Sequence, residues 1–208
     1  MLRILVANSK GGCGKTTIAT HLAGAFAAAG HLCCLADADR QRSSLGWLAC
    51  RPEGVPAITA LDWSKEIGEP PKGKGFLVID AAAGLRGERS VELVKLADLL
   101  VLPVLPSAFD EGATRRFLDR IKPLRRVVSG RMPVAIVGNR LRSGTRTAAR
   151  FEQFAAGLGY PIVARLRESQ LYADFAATGT TVFDAHGRRA AALQADWHPL
   201  LAYVEQEL

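Results

Sequence analysis

Apolar residues in this chain fall in runs rather than in alternation: residues 2–7, 32–36, 76–79, 99–105, 134–137 and 162–164 are each almost wholly apolar. A strand with one wet face alternates apolar and polar side chains, whereas an unbroken run predicts a strand covered on both faces, as in a parallel sheet. Longer segments stand between the runs: alanine-rich residues 18–29, then 88–97 and 110–122. In the last of these Ala113, Phe117, Leu118 and Ile121 share one side and Arg115, Arg116 and Arg120 lie elsewhere, so the basic side chains should meet solvent. Strands and helices in alternation predict an α/β fold, a mainly parallel twisted sheet with helices on both faces. Residues 52–75 are rich in Pro and Gly and read as connecting structure with one strand near 57–61. A single domain over residues 1–208 accounts for the whole pattern.

The first run leads into Ser9-Lys10-Gly11-Gly12-Cys13-Gly14-Lys15-Thr16-Thr17, and the alanine-rich helix follows at once. Strand, glycine loop and helix in this order make a cradle for phosphate, because loop amides turn inward and the helix dipole adds positive charge at the same place. In such a loop Lys15 reaches the β- and γ-phosphates of a nucleoside triphosphate, the Thr16 hydroxyl holds Mg²⁺ and Thr17 meets the α-phosphate. Ser9 stands where the common form of this loop has its first glycine, and Lys10 adds a second lysine. Since Lys15 already serves the terminal phosphates, Lys10 is read as acting on another subunit's nucleotide. Two later strands end in acid: the run 32–36 leads to Asp37-Ala38-Asp39-Arg40-Gln41, and 76–79 stops at Asp80. Carboxylates at the carboxyl ends of parallel strands face the crevice that holds the loop. Asp80, after four apolar residues, is expected to hold Mg²⁺ through water.

The stretch Asn8-Ser9-Lys10-Gly11-Gly12-Cys13-Gly14-Lys15-Thr16-Thr17 resembles the deviant Walker A box of the ParA/MinD family of P-loop ATPases. The resemblance implies a P-loop NTPase domain in which Lys10 crosses an ATP-sandwich dimer to the partner's phosphates, while Gly11, Gly12, Cys13, Gly14, Lys15, Thr16 and Thr17 bind the nucleotide. The acidic box is similar to the family's D-x-D-P-Q, which implies that Asp39 orients the attacking water and that Asp37 supports the loop and the metal shell; Arg40 replaces the family's proline. Trp47 is expected in the core. Ala81-Ala82-Ala83-Gly84 occupies the place of a switch that senses the γ-phosphate. Pro106-Ser107-Ala108-Phe109-Asp110 resembles the P-S-x-x-D box near the dimer interface, with Asp110 equally readable as a helix N-cap. By the same likeness Asn139 contacts the adenine edge with Arg140 stacked nearby, and Arg142, Arg146 and Arg150 turn toward DNA. Arg165-Leu166-Arg167-Glu168-Ser169 looks like V-R-L-x-E-A, which adds Arg165 and Arg167 to that surface.

Charge sharpens this picture. The net +7 is uneven: residues 112–150 hold eleven basic residues against one acid, a net +10 that leaves −3 for the rest. So localised a field points to a polyanionic partner. No apolar run approaches the ~20 residues of a membrane span, and residues 2–7 are too short for a signal-peptide core, so a cytoplasmic protein is expected. Cys13, Cys33, Cys34 and Cys50 have neither zinc-ligand spacing nor a disulfide pattern. Cys13 is either a thiol of lowered pKa at a helix N-terminus or a small filler of a variable loop position.

The resemblance therefore implies a cytoplasmic, nucleoid-associated ATPase that dimerises on ATP and Mg²⁺, binds non-specific DNA and positions a plasmid, chromosome or protein cluster. A ParB-like or other cargo adaptor would stimulate hydrolysis. Two alternatives use the same fold: an amide-forming synthetase resembling cobyrinic acid or dethiobiotin synthetases, and a MinD-like membrane ATPase. The tail 190–208, neither basic nor strongly amphipathic, speaks against the second. The absence of a helix-turn-helix segment before the first strand favours DNA binding without sequence preference.

Overall fold

The computed structural model describes residues 1–83 and 88–207. Seven strands form one parallel sheet: β1 (Leu2–Val6), β2 (Cys33–Ala38), β3 (Thr59–Asp62), β4 (Phe76–Ala81), β5 (Leu99–Val104), β6 (Val134–Leu141) and β7 (Ile162–Arg167). Their spatial order is β3-β2-β4-β1-β5-β6-β7. Helices α1 (Lys15–Ala28), α2 (Ser43–Ala49), α3 (Glu88–Leu96), α4 (Ala108–Ile121), α5 (Arg125–Val128) and α6 (Arg146–Ala156) lie between the strands, and α7 (Leu171–Thr178) and α8 (Arg188–Glu205) follow the last of them.

The unbroken apolar runs are explained by two cores, one on each sheet face. Leu5, Leu77, Ile79, Leu100 and Leu102 point to the side packed by Leu93 of α3, Phe117 of α4 and Phe151 of α6. Their sequence neighbours Ile4, Val6, Phe76, Val78 and Val101 point to the side packed by Ile18 and Phe26 of α1, Phe175 of α7 and Trp197 of α8. Trp47 is buried in that second core, as expected.

The chain leaves β1 through α1, passes over β4 and enters β2, while β5 lies on the other side of β1. The carboxyl end of β1 is thus the switch point where an open α/β sheet presents a crevice. Register brings the acids there: Val6 pairs with Asp80 on β4, and Asp37 on β2 pairs with Asp80 from the other side. No helix among the described residues is long and apolar enough to cross a membrane.

Several elements differ from the sequence expectation. β6 runs on to Leu141 and so carries Asn139 and Arg140, with a register irregularity between Gly138 and Leu141. β7 extends to Arg167 at the sheet edge, so Arg165 and Arg167 project from its exposed face rather than from a loop. Helix α4 begins at Ala108 with Ser107 in the cap position. Asp110 lies in the first turn, and its amide donates to Ser107 O. That removes the N-cap reading of Asp110.

Candidate functional site

The loop after β1 closes on itself before meeting any ligand. Gly12 and Gly14 take φ of 77° and 95°, conformations that a side chain would strain. Lys10 O accepts from Cys13 Sγ at 3.2 Å and from Lys15 Nζ at 3.0 Å, which folds the buried Lys15 ammonium into the loop. Gly14 caps α1 without a side chain, and the first turn of α1 has no acid. The first amides of that helix are therefore open to an anion.

Ser9, in the place of a glycine, anchors the loop through its side chain, where Oγ donates to Ala113 O of α4 at 2.9 Å. Asn8 Nδ2 adds bonds to Pro103 O (2.8 Å) and Thr114 Oγ1 (3.0 Å), so β5 and α4 clamp the start of the loop. Lys10 is half-buried, and no ion pair among the described residues holds its ammonium. Gly11 faces Ala83, whose Cβ stands 3.8 Å from where a Gly11 Cβ would be. Gly84, the last residue of that expected switch, lies outside the described residues.

Asp37 is fully buried and saturated by backbone: Oδ1 accepts Asp39 N (3.0 Å), and Oδ2 accepts Ser44 N (2.9 Å) and Leu45 N (3.1 Å). It holds the acidic loop and caps α2 from six residues upstream. Asp39 is half-buried; Oδ1 accepts Gln41 N at 3.0 Å and its carbonyl accepts Arg42 N at 3.0 Å. Arg40, at the family's proline position, is exposed, and the turn is stiffened instead by those bonds and by the Arg42–Asp62 pair at 2.8 Å.

Asp80 is, with Asp110, one of two buried carboxylates among the described residues that carry an unpartnered oxygen. It is 1% exposed, and its Oδ1 is buried without a hydrogen-bond partner. Burial raises its carboxyl to about 7 against the pull of the Thr16 hydroxyl, and the charge of Asp37 adds to the rise. An orphaned buried oxygen beside a threonine hydroxyl at the loop's end is what a hydrated Mg²⁺ would satisfy, so Thr16 and Asp80 fit that ion. Cys13 is buried, and burial raises its thiol with Lys15 opposing, which favours the filler reading over an activated thiol.

Asn139 is buried, and its amide is engaged at both ends: Nδ2 donates to Cys13 O at 2.8 Å, and Oδ1 accepts Arg140 N at 3.0 Å. Arg140 takes a left-handed φ of 53° and is exposed. Beside them opens a cleft of about 610 Å³ lined by Thr17, Asn139, Arg140, Gln170, Tyr172 and Ala173 among others. The last three come from the start of α7, which sequence reasoning missed because residues 171–178 show no amphipathic spacing.

The arginines expected to face DNA are less available than the charge count implied. Arg150 pairs with Glu111, Arg165 with Glu152, Arg167 with Asp196 and Arg142 with Glu168. Arg142 and Arg150 lie within residues 112–150 while their partners Glu168 and Glu111 lie outside, so a window count saw these two arginines alone. Arg146, exposed at the start of α6, makes no ion pair among the described residues.

Strand, phosphate loop and helix at the switch point of a parallel sheet define a P-loop NTPase. More narrowly, the chain belongs to the CobQ/CobB/MinD/ParA nucleotide binding domain family, whose model matches residues 4–182. It is 27% identical over 199 residues to Maintenance of carboxysome distribution protein A of Halothiobacillus neapolitanus, an alignment covering 90% of each chain. Among solved structures it is similar to the MinC:MinD cell division protein complex of Aquifex aeolicus, with a TM-score of 0.77 at 16% identity, covering 100% of this chain and 97% of that one. It is also similar to the septum site-determining protein MinD of Pyrococcus horikoshii complexed with Mg-ADP, with a TM-score of 0.72 at 18% identity and coverage of 99% and 96%.

Proposed function

We propose that this chain is a Mg²⁺-dependent ATPase that dimerises on ATP, binds DNA without sequence preference and distributes a cargo through its nucleotide cycle. The observation that supports the reading is the meeting of Lys15, Thr16, Asp37 and Asp80 at one crevice while the Lys10 ammonium has no ion-pair partner among the described residues. Lys15 neutralises the terminal phosphates, and Thr16 and Asp80 hold Mg²⁺, with Asp37 fixing the loop beside them. Mg²⁺, when bound, supplies charge neutralisation on the phosphates. Asp39 orients the water, and Lys10 reaches the nucleotide of a second copy. Arg146 with the neighbouring arginines meets DNA. Mg-ADP in a MinD of similar fold supports the ligand.

The relative named for carboxysome distribution supports a protein body as cargo over a plasmid or chromosome. A ParB-like or other adaptor stimulates hydrolysis, and the protein works in the cytoplasm on the nucleoid. The test is ATPase rate with and without duplex DNA, together with sedimentation of wild type and Lys10→Ala in ATP and in ADP. Wild type is expected to dimerise in ATP alone and Lys10→Ala to stay monomeric; Lys15→Ala loses ATP binding, and Asp39→Ala accumulates the ATP dimer. DNA binding of equal strength in ATP, ADP and no nucleotide overturns the reading.

A further inference from the structure

Four of the five arginines expected to face DNA are held by carboxylates of the same chain, and in every pair the arginine is the more exposed member. Arg150 grips Glu111 through Nε and Nη2 at 2.6 and 3.0 Å. Arg165 grips Glu152 at 2.6 and 2.7 Å, and Arg167 grips Asp196 at 2.7 Å twice. Arg142 pairs with Glu168 through Nε alone, so three of the four grips are two-pronged. The acids come from α4, α6, α8 and the segment after β7, so the arginine row is stitched to four separate parts of the molecule. A two-pronged guanidinium grip is also the geometry with which arginine takes a phosphate. Carboxylate and phosphate therefore compete for the same donors.

We propose that Glu111, Glu152, Glu168 and Asp196 determine what this surface binds: by filling the guanidinium forks they make phosphate binding an exchange, which selects a ligand bringing many phosphates at once, duplex DNA. The inference rests on the DNA-binding reading above. A lone phosphate or mononucleotide competes one-to-one with a carboxylate already tethered at high effective concentration, and loses. A duplex carries a charge every ~1.7 Å and releases condensed counterions for each phosphate neutralised, so it displaces several weak, exposed pairs together.

The experiment compares wild type, the double variant Glu152→Gln/Asp196→Asn, and Glu111→Gln as a second, single-site variant, each with a non-hydrolysable ATP analogue. Glu53→Gln, which removes an exposed acid outside all of these pairs, is the control for net charge. Duplex DNA affinity is read by fluorescence anisotropy across a salt series. The double variant is expected to bind about tenfold tighter with the salt slope of wild type, because the same arginines meet the same phosphates in both proteins and only the carboxylates to be displaced differ. Glu111→Gln should tighten binding by a smaller factor at the same slope, and Glu53→Gln should leave the affinity alone. A slope steeper by about 0.9 for each freed arginine, which would mean that the acids block contacts instead of exchanging them, or no tightening while wild type binds, overturns the inference and leaves the DNA reading standing; no binding by wild type overturns both.

Discussion

Asn139 and Cys13 are joined across the sheet: Nδ2 at the end of β6 donates to the carbonyl in the middle of the phosphate loop at 2.8 Å. The same amide lies against Gly14, whose φ of 95° and missing Cβ leave room for it. A methyl group at position 14 would overlap Asn139 Nδ2 and strain a left-handed residue at once. Gly14→Ala is expected to weaken ATP binding more than tenfold and to cost about 1–3 kcal/mol of stability. Titration with a fluorescent ATP analogue and urea unfolding measure both, and unchanged affinity would show that the loop tolerates a wider gap.

Base recognition separates two amides that share one cleft. Both ends of the Asn139 amide are engaged within the chain, while the Gln170 amide makes no hydrogen bond among the described residues. A glutamine with donor and acceptor both free can pair with two adjacent positions on adenine, an arrangement worth about 1–3 kcal/mol of discrimination. Gln170→Leu should therefore reduce the preference for ATP over GTP about tenfold. Asn139→Ala, which removes the bond to Cys13 O in the loop, should weaken both nucleotides alike. Equal losses of ATP and GTP binding in Gln170→Leu would leave Asn139 as the base reader.

What could be read from the sequence was whatever local chemistry dictates. Continuous apolar runs marked all the central strands because both faces are covered, and the phosphate loop carried its own mechanism. The short helices were not legible. Helix α2 starts at Ser43 under a cap from Asp37, too far upstream for a search of the preceding residue. Helix α7 is shaped by the cleft and core around Tyr172 and Phe175 rather than by its own pattern. The charge field overstated the free charge for the same reason: Glu168 and Glu111 reach Arg142 and Arg150 only after separate elements have packed.

Arg51 and Asp184 form a buried pair, with side chains 7% and 2% exposed. Both prongs measure 3.0 Å; Nη1 also donates to Gly179 O (3.1 Å), and Nε to Pro56 O (3.0 Å). The guanidinium lies over Trp47, and Asp184 takes Thr181 N and Oγ1 at 2.8 Å each. Arg51→Ala leaves Asp184 buried with no cation, which costs about 3–5 kcal/mol. A lysine cannot reproduce the fork, so Arg51→Lys should recover less than half of the loss in urea unfolding. Full recovery by lysine would reduce the pair to simple charge.

His21 ties the phosphate loop to α8. Its Nδ1 lies 2.8 Å from Thr17 O, and its ring stacks on Trp197 at 5.1 Å and meets the edge of Tyr172 at 5.2 Å. Burial lowers its pKa to about 4, with the Thr17 carbonyl opposing, so the folded ring is neutral and Nδ1–H donates. As pH falls below 6.5 the unfolded chain takes up a proton that the folded chain refuses until about 4. Stability present above about 6.5 is therefore lost across that window, by up to ~3 kcal/mol in total. His21→Phe keeps the stack, loses the Thr17 bond and does not titrate. Wild type should be more stable by about 1 kcal/mol above about pH 7, and the order should reverse by about pH 5. Urea midpoints across that range decide it, since a constant gap between the two proteins would mean that the ring beneath the phosphate loop takes its proton as easily folded as unfolded.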